Sequence, residues 1–335
     1  MSYKKQMMAI LSVIVVIGFF FTGCQRFNLS KEEYVATING EKIGIEEYNI
    51  YLWKIKQVYQ SVGQEDIWET KFDGKPAEEV AKERALETIK NIKIQVHEAK
   101  KIKLSLTEEE KSQVKLGTDT LITQVGEEEM NRLGISKLTV EKVMEENVLC
   151  ERLFVELTKD FVGNKEEFEK FFEENGENFK KVKAKHILLK THDIVDGKLT
   201  TLSEKEQKDA KKKADEALER AKSGEDFSDL VQEYSQDEAS LPTNGEYTFG
   251  KGEMDKNFED ASFALKTGEI SDLVESAYGY HIIKLEEEIE PDKDIIEDNY
   301  YEIKKEEFYN SRVQEWVNDA DLEINEEVWK TIKIK

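Results

Sequence analysis

The chain has 335 residues, 72 acidic and 49 basic, for a formal net charge of −23. At roughly 150 residues per domain this suggests about two domains, and 36% charged with 39% hydrophobic residues points to a helix-rich globular chain. Three prolines exclude long proline-rich linkers, the negative charge disfavours nucleic acid as a partner, two cysteines cannot staple a disulfide scaffold, and four histidines without a Cys/His cluster give no metal site.

Lys4 and Lys5 form a short positive n-region, and Met7 to Phe21 follows without a charge. That apolar run has the length of a signal-peptide h-region and falls short of the ~20 residues that span a bilayer. It ends in Phe21-Thr22-Gly23-Cys24, which resembles a bacterial lipobox, although Phe21 stands where Leu is usual. The resemblance implies a lipoprotein signal peptide over 1–23 and diacylglyceryl transfer to the Cys24 sulfur. Two acyl chains give stable anchoring where one is marginal. The alternative is an uncleaved N-terminal anchor, and either way the body of the chain is exported. Without Lys4 and Lys5 the chain keeps 47 basic against 72 acidic side chains, near −25.

Tyr34 to Ile38 reads as a strand, Asn39-Gly40 as a hairpin turn, and Glu41 to Ile45 as the returning strand. Tyr48, Tyr51, Leu52, Ile55, Val58 and Tyr59 fall at helical spacing. Pro76 suits a first helical position, with Val80, Leu86, Ile89, Ile92 and Val96 on one long helix behind it. Thr107 with Glu110 is a capping-box pattern opening another helix. Val140 to Phe161 and Lys165 to Asn175 read as helical. Cys150 shares a stripe with Leu153, Phe154 and Leu157 and is expected as a small buried apolar residue. His97, among Lys and Glu, is expected at the surface.

The pattern changes at Val182. Val182 to Leu189 is a strand, followed by a polar loop with Asp196-Gly197. Helices are expected over Ser203 to Lys222, Phe227 to Tyr234 and Phe258 to Leu265, with a Gly-rich stretch from Asn244 to Gly252 between the last two. Gly279 to Leu285 closes the segment as a strand. Beyond it, Ile295 to Trp316 is helical and Asp321 to Ile324 a short strand. Alternation puts His186 on the face of Val182, Ala184 and Leu188, and His281 on the face of Ile283 and Leu285. Two inward imidazoles, 95 positions apart and on strands that open and close one domain, are placed to form a polar core network.

Lys185-His186-Ile187-Leu188 resembles the opening strand of the parvulin peptidyl-prolyl cis-trans isomerases. Phe249-Gly250-Lys251-Gly252-Glu253-Met254, Phe258 to Leu265, Gly268-Glu269-Ile270-Ser271 and Tyr278 to Ile283 resemble the rest of that family's pattern in order and spacing. The lipobox, the Asn39-Gly40 hairpin and the flanking helices are similar to the PrsA/SurA-type exported foldases. The resemblance implies an α+β chain. A helical chaperone-like domain built from 24–180 and the C-terminal segment 288–335 would carry an inserted parvulin (FKBP-like) domain over 181–287, with an antiparallel sheet and helices.

Carried over residue by residue, His186 and His281 match the paired core histidines. Asp237 matches the Cys or Asp that faces the substrate imide. Met254 and Phe258 match the floor and wall of a proline pocket, with Phe249 nearby. Where the family often has Gly-Gly-Asp-Leu-Gly, this chain has Asn244-Gly245-Glu246-Tyr247-Thr248, so that wall is left unassigned. The implied activity is isomerisation of X–Pro bonds in unfolded or folding exported polypeptides, at the outer face of a Gram-positive-type cell membrane. No cofactor is expected, and pairing as a homodimer is left open. The alternative is a holdase whose parvulin domain grips clients with little or no catalysis.

Overall fold

The computed structural model describes residues 33–63, 65–195 and 198–334. The leader, Cys24 and the Asp196-Gly197 pair lie outside them. Two compact units emerge. One holds the described residues up to Phe161 together with those from Lys304 onward, and the other is Val162–Ile303. Each contains helices and sheet, so the chain is α+β.

The first unit opens with β1 (Tyr34–Ile38) and β2 (Glu41–Gly44), joined through Asn39 and Gly40 at φ 49° and 80°. Positive φ at both positions matches the turn's twist to that of the strands. Helices α1 (Ile45–Gly63), α2 (Ala77–Lys101), α3 (Glu108–Val125), α4 (Glu127–Leu133) and α5 (Lys137–Thr158) follow. The Thr107–Glu110 capping box forms at the start of α3. Pro76 is the N-cap of α2 at ψ 143° and not its first helical residue, because it also ends β4 (Lys75–Pro76), which pairs with β3 (Lys71–Phe72). A strand near the C-terminus, Leu322–Ile324, adds to β1 with Ala36 opposite Ile324. Tyr48, Ile50, Ile89 and Leu153 fill the core.

Inside that core Lys93 of α2, 3% exposed, reaches Glu146 of α5 at 2.5 Å and Glu47 of α1 at 2.8 Å. Cys150 packs against the same core, and burial pushes its thiol up to about 12. His97 is exposed.

The second unit begins with α6 (Lys165–Asn175). There follow β5 (Lys181–Lys190), β6 (His192–Val195), β7 (Lys198–Thr201), α7 (Glu204–Lys222), α8 (Phe227–Tyr234), β8 (Glu246–Gly250), α9 (Lys256–Ala264), β9 (Val274–Glu275) and β10 (Gly279–Ile289). Helix α10 (Lys293–Asn318) then runs from this unit into the residues of the first. The units divide the chain at 161/162 and 303/304, outside the expected limits of 181 and 287. Phe168 of α6 is fully buried, with its ring 5.6 Å from Tyr300 and 5.9 Å from Tyr301.

Strands β8-β5-β10-β9 form one antiparallel sheet. On one face pack α7 and α8. Their Ala210, Ala214, Ala217 and Ala221, a stripe without bulk, and Leu230 and Val231 cover Ile187, Leu189 and Ile282. On the other face α9 puts Phe258 against Val182, Ala184, Ile283 and Leu285. The segment read as a polar loop holds the β6–β7 hairpin, and the Gly-rich stretch holds β8.

Candidate functional site

The site face of the sheet is fixed by register. Ile283 lies opposite His186 and His281 opposite Leu188, so the two histidines are diagonal neighbours on the Phe258 face. Their Nδ1 atoms are 3.2 Å apart and the rings stack at an interplanar angle of 18°. Both are buried, at 4% and 5% exposure. Two glycines permit this. A Cβ on Gly245 would lie 2.5 Å from the His186 carbonyl oxygen, and one on Gly279 would lie 2.2 Å from that of Leu189.

Asp237 arrives on the loop after α8. The Gln236 N–H donates to the Leu188 carbonyl at 2.8 Å, and the Leu188 N–H to Ser235 Oγ at 3.2 Å. The loop thus continues the sheet edge where the β8 pairing, which ends at Lys185, stops. Asp237 Oδ2 lies 2.9 Å from His186 Nε2 and accepts a hydrogen bond from Tyr247 Oη, also at 2.9 Å. Ser240 Oγ is 3.3 Å from the same imidazole nitrogen. At the far end Ser276 Oγ lies 2.7 Å from His281 Nε2 and accepts from the Tyr278 N–H at 3.0 Å.

One proton order satisfies every partner. The Tyr278 N–H donates to Ser276, whose hydroxyl donates to His281 Nε2. His281 Nδ1–H donates to His186 Nδ1, and His186 Nε2–H to the carboxylate. These tautomers are assigned from the network. The electrostatics agree. The His186 hydrogen bond, with further ones from Ser240 and Tyr247, holds the Asp237 carboxyl far below the usual carboxylate range. Desolvation, and then the neighbouring His186, pull His281 down to about 3. The result is a buried polar seam ending in one anion.

Apolar rings line the seam. Phe258 is edge-on to both histidines, with ring centroids 5.3 Å from His186 and 5.1 Å from His281. The α9 N-cap, Asp255, orients the helix by accepting from the N–H groups of Asn257 and Phe258. Met254 joins the same cluster, partly exposed, at the end of a turn held by Glu259 Oε2, which accepts from Gly252 N–H at 2.7 Å.

Phe249, expected near the pocket, is 1% exposed and packs behind Phe258, 5.6 Å between centroids. His186, Asp237, His281, Phe258 and Met254 therefore share one face, with Phe249 beneath it. Cys24, the expected lipidation site, lies outside the described residues.

Sequence reasoning missed Ser240 and Ser276 and left Tyr247 unassigned. The serines carry no pattern of their own. Tyr247 had a signal in the alternation Glu-Tyr-Thr-Phe, which puts it on the face of Phe249. Among the described residues no group of three or more His, Cys, Asp or Glu is placed to hold a metal ion.

Two family models match the chain: a PPIC-type PPIase domain over residues 166–289 and a SurA-like N-terminal domain over residues 1–115. The foldase protein PrsA of Caldanaerobacter subterraneus is 32% identical over 292 residues, covering 84% of this chain and 83% of its own. A Clostridium botulinum foldase protein PrsA is 25% identical over 357 residues, 97% of this chain and 99% of its own. A crystal structure of a peptidylprolyl isomerase (PrsA) from Bacillus cereus aligns at 27% identity over 70% of this chain and 76% of its own, with a TM-score of 0.32. Over a length that takes in both units, at the identity found in the first relative, the chain belongs to the PrsA foldase family and is a parvulin-type peptidyl-prolyl cis-trans isomerase.

Proposed function

We propose that this isomerase works on exported polypeptides as they fold, from a diacylglyceryl anchor on Cys24, and that its site is the Asp237–His186–His281 seam with Phe258 and Met254 beside it. The observation that carries the site reading is Asp237 Oδ2 at 2.9 Å from His186 Nε2, on a histidine pair that abuts Phe258.

The chemistry asks little of the residues. Amide resonance sets a barrier of ~18–20 kcal/mol to rotation about the X–Pro bond. That resonance places partial negative charge on the carbonyl oxygen, and twisting the bond withdraws it. An anionic Asp237 beside that oxygen raises the planar forms more than the twisted one, which is differential binding of the transition state. Phe258 and Met254 hold the pyrrolidine ring and exclude water, which otherwise hydrogen-bonds the planar, more dipolar amide. The histidine pair fixes Asp237 through the His186 Nε2 contact. No bond is made or broken, and no nucleophile is needed.

A holdase reading has one observation in its favour: Phe258 is only 5% exposed, so the pocket is nearly covered. Refolding of a client limited by a proline isomerisation step separates the two readings. Asp237→Ala combined with Phe258→Leu should abolish the acceleration. Full assistance from a variant that has lost isomerisation of short peptides would favour the holdase. Metabolic labelling with a fatty acid tests the anchor, since Cys24→Ala should remove the label.

A further inference from the structure

We propose that Tyr247 is a positioning residue of the isomerase site and acts through Asp237, a role that rests on the reading of Asp237 as the group facing the imide. Three observations converge on it. The β5–β8 register sets Tyr247 opposite Ala184, and alternation puts it with Phe249 on the His186 face. Its hydroxyl donates to Asp237 Oδ2, the same oxygen that lies against His186 Nε2. Its ring stands 5.4 Å from the His186 ring, so the phenol and the imidazole approach one carboxylate oxygen from adjacent positions.

An Asp side chain has two rotatable bonds and two equivalent oxygens. His186 and Ser240 already hold the carboxylate, and the Tyr247 hydroxyl adds a second donor on the Oδ2 atom that faces His186, which narrows the swivel left about that contact. Geometric restraint of this kind acts on the rate of the chemical step more than on binding.

The phenol is suited to the task. Burial, and then the adjacent carboxylate, raise its proton affinity, so it stays a donor across the working pH range. Its backbone is equally constrained. Asn244 and Gly245, at φ 55° and 78°, turn the chain into β8, and the Gly245 carbonyl accepts from the His186 N–H at 2.9 Å. Tyr247 is thereby tied to the strand that carries the histidine it assists.

The test is a double-mutant cycle on the full chain without residues 1 to 24, read by exchange NMR on an X–Pro peptide. Tyr247→Phe keeps the ring and removes only the hydroxyl. The expected result is a roughly tenfold fall in kcat with KM changed less than about twofold, and a protein still cooperatively folded at the assay temperature, its melting temperature lowered by no more than about 10 °C. In the Asp237→Ala background the same substitution should cost nothing further. An unchanged kcat in Tyr247→Phe overturns the proposal, as does an equal fall in both backgrounds, which would make the hydroxyl a structural feature. Asp237→Ala at the parental rate would instead overturn the underlying assignment of Asp237.

Discussion

Acidification should destabilise the isomerase unit, between pH 7 and 4 chiefly through one side chain. His281 sits near 3 against an ordinary 6.5, chiefly because burial disfavours its charged form. The unfolded chain therefore binds a proton near pH 6.5 that the folded chain refuses until about pH 3. A base with a depressed folded pKa contributes stability that is intact above pH 6.5 and is lost progressively as pH falls toward 3. Between pH 7 and pH 4 the loss is about 3 kcal/mol, a large part of a domain's stability. Asp237 is also depressed, so its share is likewise lost on acidification, but only once its unfolded counterpart protonates near and below pH 4.

The assay is urea unfolding at several pH values, read on the methyl NMR signals of Ile187, Ile282 and Ile283, all buried on the central strands. Tryptophan emission is unsuited, because Trp53, Trp68, Trp316 and Trp329 all belong to the other unit. His281→Asn keeps a donor near the Nδ1 position and cannot titrate, so it should flatten the acid limb while lowering stability at pH 7. Parallel curves for the two proteins from pH 7 to 4 would show that the native ring takes up its proton as readily as the unfolded one, contrary to the expected depression.

Three further outcomes are expected. Lys93→Met leaves the buried carboxylates of Glu47 and Glu146 with only the half-exposed Lys142 as a shared cation and should cost the helical unit about 2–4 kcal/mol, read by tryptophan emission in urea; a loss under about 1 kcal/mol would mean that Lys142 alone compensates them. Gly245→Ala must fit a Cβ at φ 78° and 2.5 Å from the His186 carbonyl oxygen, so destabilisation of about 1–3 kcal/mol and slower isomerisation should appear together in melting and activity measurements. The net charge of −23 predicts that affinity for a basic unfolded client falls as salt rises from 50 to about 500 mM, whereas salt-independent binding in a titration would remove surface charge from the account.

What the sequence revealed follows from the range of the interactions involved. Periodicity and caps depend on neighbours in the chain, so the bounds of α6 and α8, the Asn39-Gly40 turn and the Thr107–Glu110 box were readable. Alternation placed His186 and His281 on matching faces, but only the register of β5 on β10 brings their Nδ1 atoms to 3.2 Å. Strand β8 was hidden by the glycines that bracket it, and Tyr247 with it. The hydroxyls of Ser240 and Ser276 became visible only when the chain closed around the histidines, since nothing local marks a serine as a partner for a ring 54 or 5 residues away.

The most direct test of the central claim is exchange NMR on an X–Pro peptide with the chain lacking residues 1 to 24, repeated with Asp237→Ala and followed at the Met254 methyl signal. The parent should accelerate exchange, the variant should be slower by at least about a hundredfold, and peptide should shift the Met254 methyl in both. An Asp237→Ala variant at the parental rate, or a Met254 signal indifferent to peptide, would contradict it.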